Sequence, residues 1–431
     1  MQTYNNPDRS EWKQILRRPT LNNNNLEATV QVILDTVKKD GDQALFSYSK
    51  QFDKVDLSNL NVTDLEIQEA NQQVSQQLKD AIQIAYDNIY KFHSSQQSDS
   101  QRIETMQGIE CWRKNVPISK VGLYIPGGTA PLFSTVMMLG IPAKIAGCQE
   151  IVLCTPPQKD GSINPVILYT AKLVGCTKIF KVGGAQAIAA MTYGTESIPK
   201  VYKLFGPGNQ YVTKAKQLAQ QAGTAIDMPA GPSELLVLAD DEANPDFVAA
   251  DLLSQAEHGV DSQVVLVAYS PELVKKVKQS IQEQLTQLPR KTIAQAALEN
   301  SSAIVVKNEK EAIEFINEYA PEHLILNCQD AEELAQQVEN AGSVFLGAYT
   351  PESAGDYASG TNHTLPTNGF AKTYSGVSLD SFVKKITFQQ ISPRGLKNIG
   401  NAIELMAEAE QLIAHKNAVS IRLQKLNKSN I

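Results

Sequence analysis

Long apolar runs, paired cysteines and an excess of basic residues are all missing from this sequence. The longest apolar stretches are too short and too interrupted to span a bilayer, and the start, MQTYNNPDRSEW, lacks the apolar stretch of a signal peptide. The five cysteines are odd in number and show no framework spacing, which favours free thiols in a reducing compartment. We therefore expect a cytoplasmic protein that does not enter a membrane.

The charge balance disfavours a nucleic-acid partner. The formal net charge is -7, from 39 Lys and Arg against 46 Asp and Glu. Non-specific binding of nucleic acid needs a basic surface that displaces counterions, and the sequence shows no helix-turn-helix, C-x-x-C pair or aromatic-basic platform. Apolar residues make up 42% and charged residues 20%, as in ordinary globular proteins, and 431 residues are enough for two or three cores.

From about residue 119, short β-rich runs alternate with helical patterns. KVGLYIP and EIVLCTP are typical of buried strands, and INPVILYTAKLVG is typical of a helix. Strands separated by helical crossovers predict parallel sheets covered on both faces, and two such sheets, before and after Glu234, fit the length. Outside them we expect a loop at LNNNN (21–25), a helix over 63–92 capped by Thr63 or Asp64, and a mainly helical chain from about 378.

The stretch SQAEHGVDS closes a well-bounded predicted helix. Asn244 is the expected N-cap, Pro245 the first helical residue and Gly259 the terminator. Gln255 and His258 lie off the apolar stripe of this helix, and residues three apart can converge on one ion. A solvated helix end explains the same pair, so the pair alone does not decide between the two interpretations.

The chain has only five histidines, and four of them lie in unusual local settings. Glu322 and His323 stand side by side in APEHL, and an imidazole beside a carboxylate is a natural acid/base pair near neutral pH. An exposed loop pair is an equally good interpretation of that motif. His93 follows a polar helix, so we expect it at the surface. His415, close to Glu410 near the end of the last helix, could simply complement the helix dipole.

Residues 351–369, PESAGDYASGTNHTLPTNG, form a long stretch of small polar residues, which compact domains seldom keep without a task. Within it, Asp356 could supply an oxygen ligand and His363 a ring nitrogen. Four candidates together make a metal set without a thiolate: Gln255, His258, Asp356 and His415. Because structural zinc sites usually use cysteine, such a set would be catalytic or substrate-positioning. Its ligand types fit Zn²⁺ and leave Mn²⁺ and Co²⁺ open.

Three glycine-rich loops each follow a predicted strand: YIPGGTAPL, VGGAQAIAA and FGPGNQYVTKA. The last two open helices, whose first backbone N–H groups can hold phosphate. None of the three matches G-x-G-x-x-G or a Walker loop, so tight turns explain them as well as a nucleotide site does.

Taken together, the chain resembles the histidinol dehydrogenase family over nearly its whole length. The matching segments occur in the family's order: VGLYIPGGTAPLFSTVMM, GGAQAIAAM, FGPGNQYVTKAK, IDMPAGPSE, DLLSQAEHG, PEHL, SAGDYASGTNHTLPT and AHKNAV. The resemblance implies an α/β fold with two incomplete Rossmann-like domains of the aldehyde-dehydrogenase-like kind, and a helical C-terminal segment that crosses between the subunits of a homodimer. The expected divisions are 1–20 for an N-terminal segment, 21–123 with 235–377 for the first domain, 124–234 for the NAD-binding domain and 378–431 for the helical segment.

The same resemblance implies an activity and its residues. The reaction would be the oxidation of L-histidinol to L-histidine with two NAD⁺, the last steps of histidine biosynthesis. One Zn²⁺ per active site would be held by Gln255, His258, Asp356 and His415, the last from the partner subunit. Besides these ligands, the substrate would be bound by Ser233, His323, His363 and Glu410. The NAD site would involve Tyr124, Gln186 and Asn209.

The residue types suit this chemistry. His323 could take the hydroxyl proton of the alcohol, and Glu322 could activate the water that the aldehyde must gain before a second hydride leaves. The zinc would bind the imidazole and amino groups of histidinol, which is a positioning role rather than generation of hydroxide. No cysteine lies in these motifs, so a thiohemiacetal mechanism is disfavoured, and we expect Cys148 and Cys154 to be buried packing residues.

Three alternatives stay open on the sequence. One is a zinc-dependent dehydrogenase of the same fold that acts on another amino alcohol. The second is a metal-binding regulatory or scaffold protein without catalysis, which the presence of both Glu322 and His323 disfavours. The third is a hydrolase using zinc-bound hydroxide, which has no need for three glycine-rich turns.

Overall fold

The computed structural model describes residues 1–19, 25–127, 130–229 and 231–428, so most of the LNNNN stretch lies outside it. The chain divides into two compact units. The larger contains residues 1–96 and 118–382, and the smaller contains residues 97–117 and 383–431. No helix in the described part is both long and apolar enough to cross a membrane.

The elements follow one another in the alternating order that the sequence indicates for most of the chain. The described strands are β1 (Gln2–Asn5), β2 (Arg102–Met106), β3 (Ile109–Pro117), β4 (Lys120–Tyr124), β5 (Glu150–Thr155), β6 (Lys178–Lys181), β7 (Lys203–Phe205), β8 (Ala225–Ile226), β9 (Glu234–Ala239), β10 (Gln263–Ala268), β11 (Ser302–Val305), β12 (His323–Asn327), β13 (Ser343–Leu346) and β14 (Val383–Ile391). The described α-helices are α1 (Arg9–Ile15), α2 (Leu26–Tyr48), α3 (Asp64–Gln73), α4 (Gln76–Ser94), α5 (Phe133–Ala146), α6 (Pro165–Val174), α7 (Gly184–Tyr193), α8 (Gln210–Gln221), α9 (Pro245–Ala256), α10 (Pro271–Leu285), α11 (Lys291–Glu299), α12 (Glu309–Tyr319), α13 (Ala331–Ala335), α14 (Glu352–Tyr357), α15 (Pro393–Ala409) and α16 (Ile413–Lys428).

One sheet of the larger unit has five parallel strands in the order β6-β5-β4-β7-β8. Counted from β4 along the chain, this order is 3-2-1-4-5, which is how a Rossmann fold begins. Alternate residues of β5 enter two different cores. Val152 and Cys154 pack with α2, α7 and α8, whereas Ile151 and Leu153 pack with α4, α5 and α6. The sheet is therefore covered on both faces, as expected for parallel strands.

The other sheet of the larger unit has six parallel strands in the order β1-β11-β10-β9-β12-β13. Leaving out β1, which pairs with β11 at the edge, the order counted from β9 is again 3-2-1-4-5. Helices α9, α10 and α11 cover one face, and α1 and α12 cover the other. The prediction of two α/β halves, each an incomplete Rossmann-like arrangement, is confirmed.

The smaller unit combines an antiparallel sheet with two helices. Its strands lie in the order β14-β3-β2, and β14 pairs with β3 from Val383 opposite Pro117 to Ile391 opposite Ile109. Helices α15 and α16 confirm the helical C-terminus, but the sequence did not indicate the three strands. The reason is their composition, because β14 reads VKKITFQQI and is exposed along most of its length.

Two local expectations near the start of the chain need correction. The helix expected over 63–92 is interrupted: Thr63 caps α3 as predicted, but Val74 is extended and Ser75 caps α4. His93, expected at the surface, is fully buried. Its Nδ1 lies 2.9 Å from the carbonyl oxygen of Ile89. A histidine four residues after Ile89 continues the apolar stripe of α4, so the spacing favoured burial over exposure.

Candidate active site

Helix α9 carries Gln255 into the core of the larger unit. Asn244 caps this helix through a 2.8 Å bond from the Asp246 N–H, and Pro245 is its first residue, as expected. Gln255 is completely buried, and its Nε2 lies 3.3 Å from the carbonyl oxygen of Glu234. The interpretation of Gln255 as a solvated helix-end residue is therefore wrong, because its amide points inward to the amino end of β9, an interior strand of the second sheet.

His323 and Glu322 lie at the amino ends of the strands in the second sheet, where β12 runs beside β9. His323 is the first residue of β12 and pairs in register with Leu235. Both side chains are buried, and the Glu322 carboxylate accepts a 2.9 Å bond from the backbone N–H of Glu234. The exposed-loop interpretation of this pair is therefore wrong. The Nδ1 of His323 lies 3.2 Å from the Glu234 carbonyl oxygen and 3.2 Å from Gln255 Nε2.

Three carboxylates surround the His323 ring. Glu322 Oε2 lies 3.6 Å and Glu352 Oε1 lies 4.0 Å from its Nδ1, and Asp356 Oδ1 lies 3.6 Å from its Nε2. The sequence interpretation missed Glu352. The signal was present, since Glu352 and Asp356 are four apart on α14 and therefore share one helix face.

Burial and mutual repulsion set the charges of this cluster. Burial raises the pKa of Glu322 to about 8 and that of Glu352 to about 8. Burial alone would lower the pKa of His323, but the carboxylates of Glu352 and Glu322 outweigh it and raise that pKa to about 10. So many acidic groups out of water are costly unless a cation is present among them.

The cluster also contains buried donor atoms that could bind a metal ion. Three buried polar atoms of this cluster have no hydrogen-bond partner in the described chain: Gln255 Oε1, His323 Nε2 and Glu352 Oε2. His323, Glu352 and Asp356 can point one ligand atom each at a common position. The donors are nitrogen and oxygen without a thiolate, a set that Zn²⁺ accepts in catalytic sites. The cluster therefore fits a metal ion, and it contains two of the four expected zinc ligands, Gln255 and Asp356.

Two further histidines interact with the same carboxylate. His258 follows the end of α9 and is exposed, and His363 lies in the polar stretch after α14. The imidazoles of His258, His323 and His363 all interact electrostatically with Asp356. His363 is fixed by its Nδ1, 2.9 Å from the Asp356 carbonyl oxygen, and its Nε2, 3.0 Å from Thr135 Oγ1.

Three other expected substrate or metal residues lie outside this cluster of contacts. Ser233 is half-buried and immediately precedes β9, beside Glu234. Glu410 is the C-cap residue after α15 and His415 lies in the first turn of α16, both exposed on the smaller unit. Their part in the site stays a prediction.

A cavity of about 790 Å³ opens at the carboxyl ends of the first sheet. The three residues expected to contact NAD all line it: Tyr124, Gln186 and Asn209. Tyr124 ends the central strand β4, and its hydroxyl accepts a 3.1 Å bond from the Gly184 N–H. Asn209 caps α8 through bonds of 3.0 and 3.2 Å from the next helical N–H groups. In Rossmann folds a dinucleotide binds in this place, the topological switch point between β4 and β7, where the helices that follow the two strands lie on opposite faces of the sheet.

Comparison with known proteins decides the family. The model of the family described as histidinol dehydrogenase matches residues 16–423. The chain belongs to the histidinol dehydrogenase family. Membership makes it an oxidoreductase. Histidinol dehydrogenase of Bacteroides fragilis is 61% identical over 422 residues, 98% of this chain and 99% of that one. The chloroplastic histidinol dehydrogenase of Arabidopsis thaliana is 52% identical over 97% of this chain and 90% of its own.

A solved structure gives the same family. The crystal structure of histidinol dehydrogenase from Elizabethkingia anophelis superposes with a TM-score of 0.97 at 58% identity, covering 99% of each chain. A probable aldehyde dehydrogenase from Listeria monocytogenes aligns over 88% of this chain with a TM-score of 0.46 at 14% identity.

Proposed function

We propose that the enzyme oxidises L-histidinol to L-histidine by way of the aldehyde, passing four electrons to two NAD⁺. The observation that carries the proposal is the buried Glu322–His323 pair in a cluster of carboxylates. An imidazole and a carboxyl side by side suit a site that must remove a proton from an alcohol and then from water.

The first oxidation uses His323 as the base. Its Nδ1 lies 3.2 Å from the Glu234 carbonyl oxygen, which favours a proton on that nitrogen. The surrounding carboxylates raise the pKa of the ring, so Nε2 serves as the base only after the ring has lost its second proton. Nε2 has no hydrogen-bond partner in the described chain, so it can take the hydroxyl proton of the alcohol. As the O–H bond breaks, the carbinol carbon releases a hydride and becomes the aldehyde carbon. The released proton passes from His323 to solvent.

The second oxidation uses Glu322 to activate water. The aldehyde must gain water to become a diol before it can release a second hydride. Glu322, when ionised, takes a proton from the water that attacks the carbonyl carbon. His323 then takes the hydroxyl proton of the resulting diol anion as the second hydride leaves, and the carboxylate is formed. The first oxidation transfers one hydride and releases one proton, and the second transfers one hydride and releases two protons, so the electrons and atoms balance.

Two bound groups complete the proposed site. NAD⁺, in the cavity beside Tyr124, Gln186 and Asn209, would accept each hydride. Zn²⁺ would hold the imidazole and amino nitrogens of the substrate, with Gln255, His258, Asp356 and the partner subunit's His415 as its ligands. Ser233, His363 and Glu410 would complete the contacts to histidinol. These assignments require a homodimer, in which the smaller unit of one subunit supplies Glu410 and His415 to the other.

Replacing Glu322 by glutamine should impair aldehyde oxidation more than alcohol oxidation. The amide cannot accept a proton from water, and a positioned base contributes about 10²-fold or more. Because burial raises the pKa of Glu322 to about 8, its carboxyl ionises as the pH rises from about 7 to about 9, and the aldehyde half-reaction of the unmodified enzyme should accelerate over this range. Equal losses in both half-reactions, in a variant whose aldehyde oxidation still accelerates with rising pH, would contradict the role of Glu322.

A substrate screen at fixed NAD⁺ tests the proposal as a whole. We expect NADH formation with L-histidinol and with the aldehyde, and much less with amino alcohols that lack an imidazole. Activity on a different amino alcohol and none on histidinol would overturn the proposal. The cytoplasmic location stays a prediction, which fractionation of cells with an antibody to the protein would test.

A further inference from the structure

The wall of the 790 Å³ cavity carries a single charged side chain among the residues that the structure describes. That side chain is Asp53; the other lining residues are uncharged, and no described lysine or arginine reaches the cavity. The N-termini of α7 and α8 reach it through Gly184 and Asn209, so backbone groups can hold a pyrophosphate without a cationic side chain. Asp53 interacts electrostatically with Tyr124 on the same wall, and no described cationic side chain on the wall neutralises it.

Local structure holds the Asp53 carboxylate in place. Residues Ser49–Asp53 form a short π-helical turn at the end of α2, and Lys54 then adopts a left-handed conformation with φ 62°. Val55, next along the chain, is buried and anchors the turn. The Oδ2 atom of Asp53 is buried and finds no hydrogen-bond partner in the described residues. A buried acceptor without a donor is expensive, so a ligand that supplies hydroxyl groups would stabilise this arrangement.

Asp53 lies where the sheet itself supplies no carboxylate to the cavity. In Rossmann folds that bind NAD, an acidic residue near the end of the second strand hydrogen-bonds a ribose hydroxyl. The second strand here is β5, which ends in Thr155 and continues through Pro156, and no carboxylate follows within the turn 155–158 that lines the cavity. Asp53 reaches the same cavity from outside the sheet. Phe52 lines the cavity next to it and offers a ring on which a base can stack.

We propose that Asp53 binds the ribose diol of the adenosine half of NAD⁺ and selects NAD⁺ over NADP⁺. This inference rests on the proposed function, in which the cavity holds NAD⁺. A carboxylate accepts hydrogen bonds from both ribose hydroxyls, and bonds to an ionised acceptor are stronger than neutral ones. A 2′-phosphate in the same place would bring like charges together, with no described cationic side chain on the wall to offset them.

Titration calorimetry on the full-length enzyme tests the assignment without relying on turnover. The ligands are NAD⁺, NADP⁺ and ADP, since ADP carries the adenosine ribose but no nicotinamide. For the unmodified enzyme we expect NADP⁺ to bind about 100-fold or more weakly than NAD⁺. For Asp53→Asn we expect the Kd of both NAD⁺ and ADP to rise by about tenfold, and the NADP⁺/NAD⁺ ratio to fall below about tenfold.

Asp56→Asn provides the matched control. Asp56 is three residues away, is exposed and pairs with Lys50 at 2.9 Å, and it does not line the cavity. The same loss of charge there should leave all three Kd values unchanged. A second variant, Asp53→Ser, removes the charge with a smaller side chain and replaces Asp53→Asn if the circular dichroism of that variant shows misfolding.

The outcomes separate the inference from the function on which it rests. Unchanged Kd values in both Asp53 variants would overturn the role of Asp53 while leaving the NAD⁺ site intact. A rise in the Kd of NAD⁺ without one for ADP would overturn the assignment to the adenosine ribose. Failure of the unmodified enzyme to bind either NAD⁺ or ADP would instead refute the proposed cofactor site.

Discussion

The His323→Asn variant is expected to lose about 10³-fold or more of kcat for histidinol, and a comparable factor for the aldehyde, because both half-reactions use the same base. Asparagine keeps a polar group near the Glu234 carbonyl oxygen, so the buried site is not left with an unpaired acceptor. Its amide cannot take a proton at neutral pH. Stopped-flow measurement of NADH formation, started separately from the alcohol and the aldehyde, gives both rates.

His93→Asn is the matched control for this variant. It makes the same chemical change at another buried histidine, which contacts the carbonyl oxygen of Ile89 on α4. We expect kcat near that of the unmodified enzyme for His93→Asn, and zinc content near that of the unmodified enzyme for both variants. A His323→Asn enzyme that retains alcohol oxidation would show that another group removes the hydroxyl proton.

The His415→Ala variant is expected to lose both zinc and activity. Mutating groups that merely support a metal ligand costs 10–100-fold in affinity in other metal sites, so the loss of a ligand should cost about 100-fold or more. His258→Ala should show the same loss. Metal analysis after dialysis against a chelating resin measures the bound zinc per subunit, with Glu257→Ala, at the residue preceding His258, as control. Full zinc in either histidine variant would contradict the ligand assignment.

Mixing subunits tests whether His415 acts across the dimer. In the proposed dimer each active site takes His323 from one subunit and His415 from the other. A mixed dimer of His415→Ala and His323→Asn therefore contains one site with both histidines intact and one site with both replaced. Random exchange gives half mixed dimers, and activity should recover to about a quarter of the unmodified level. Recovery should be absent when either variant is mixed with itself. No recovery in the mixed sample would place His415 in the site of its own subunit.

The sequence was a good guide to the larger unit because its strands are continuous apolar runs. EIVLCTP and QVVLVAY form buried central strands, β5 and β10, and parallel strands buried on both faces carry this pattern. It was a poor guide to β14, whose alternating lysines, glutamines and apolar residues also fit an exposed helix or loop. The sequence analysis also missed the break at Val74, because the apolar periodicity continues across it while Ser75 caps a new helix.

The sequence predicted only part of the candidate site. Motifs singled out Glu322 and His323, but their burial depends on the register of β12 with β9, which is a long-range property. Gln255 appeared polar and off the apolar stripe, yet it is buried because the amino end of β9 presents the Glu234 carbonyl oxygen to it. Glu352 gave a usable signal through its four-residue spacing from Asp356, which was overlooked.

The proposed NAD⁺ cavity and the catalytic pair lie at opposite ends of the strands in their respective sheets. The cavity proposed for NAD⁺ lies at the carboxyl ends of β4 and β7, whereas Glu322 and His323 lie at the amino ends of β9 and β12. At the carboxyl ends of β9 and β12, the Asp240 carboxylate accepts bonds from the N–H groups of Gln329 at 2.7 Å and Glu242 at 3.1 Å.

The central claim is a four-electron oxidation in one zinc-dependent site, and the stoichiometry of the complete reaction tests it most directly. A limiting amount of L-histidinol is consumed with excess NAD⁺, and NADH, residual histidinol and L-histidine are quantified. The account predicts two NADH and one L-histidine per histidinol, abolished by a chelator and restored by Zn²⁺. One NADH per histidinol with accumulation of the aldehyde, or full turnover after complete removal of the metal, would contradict it.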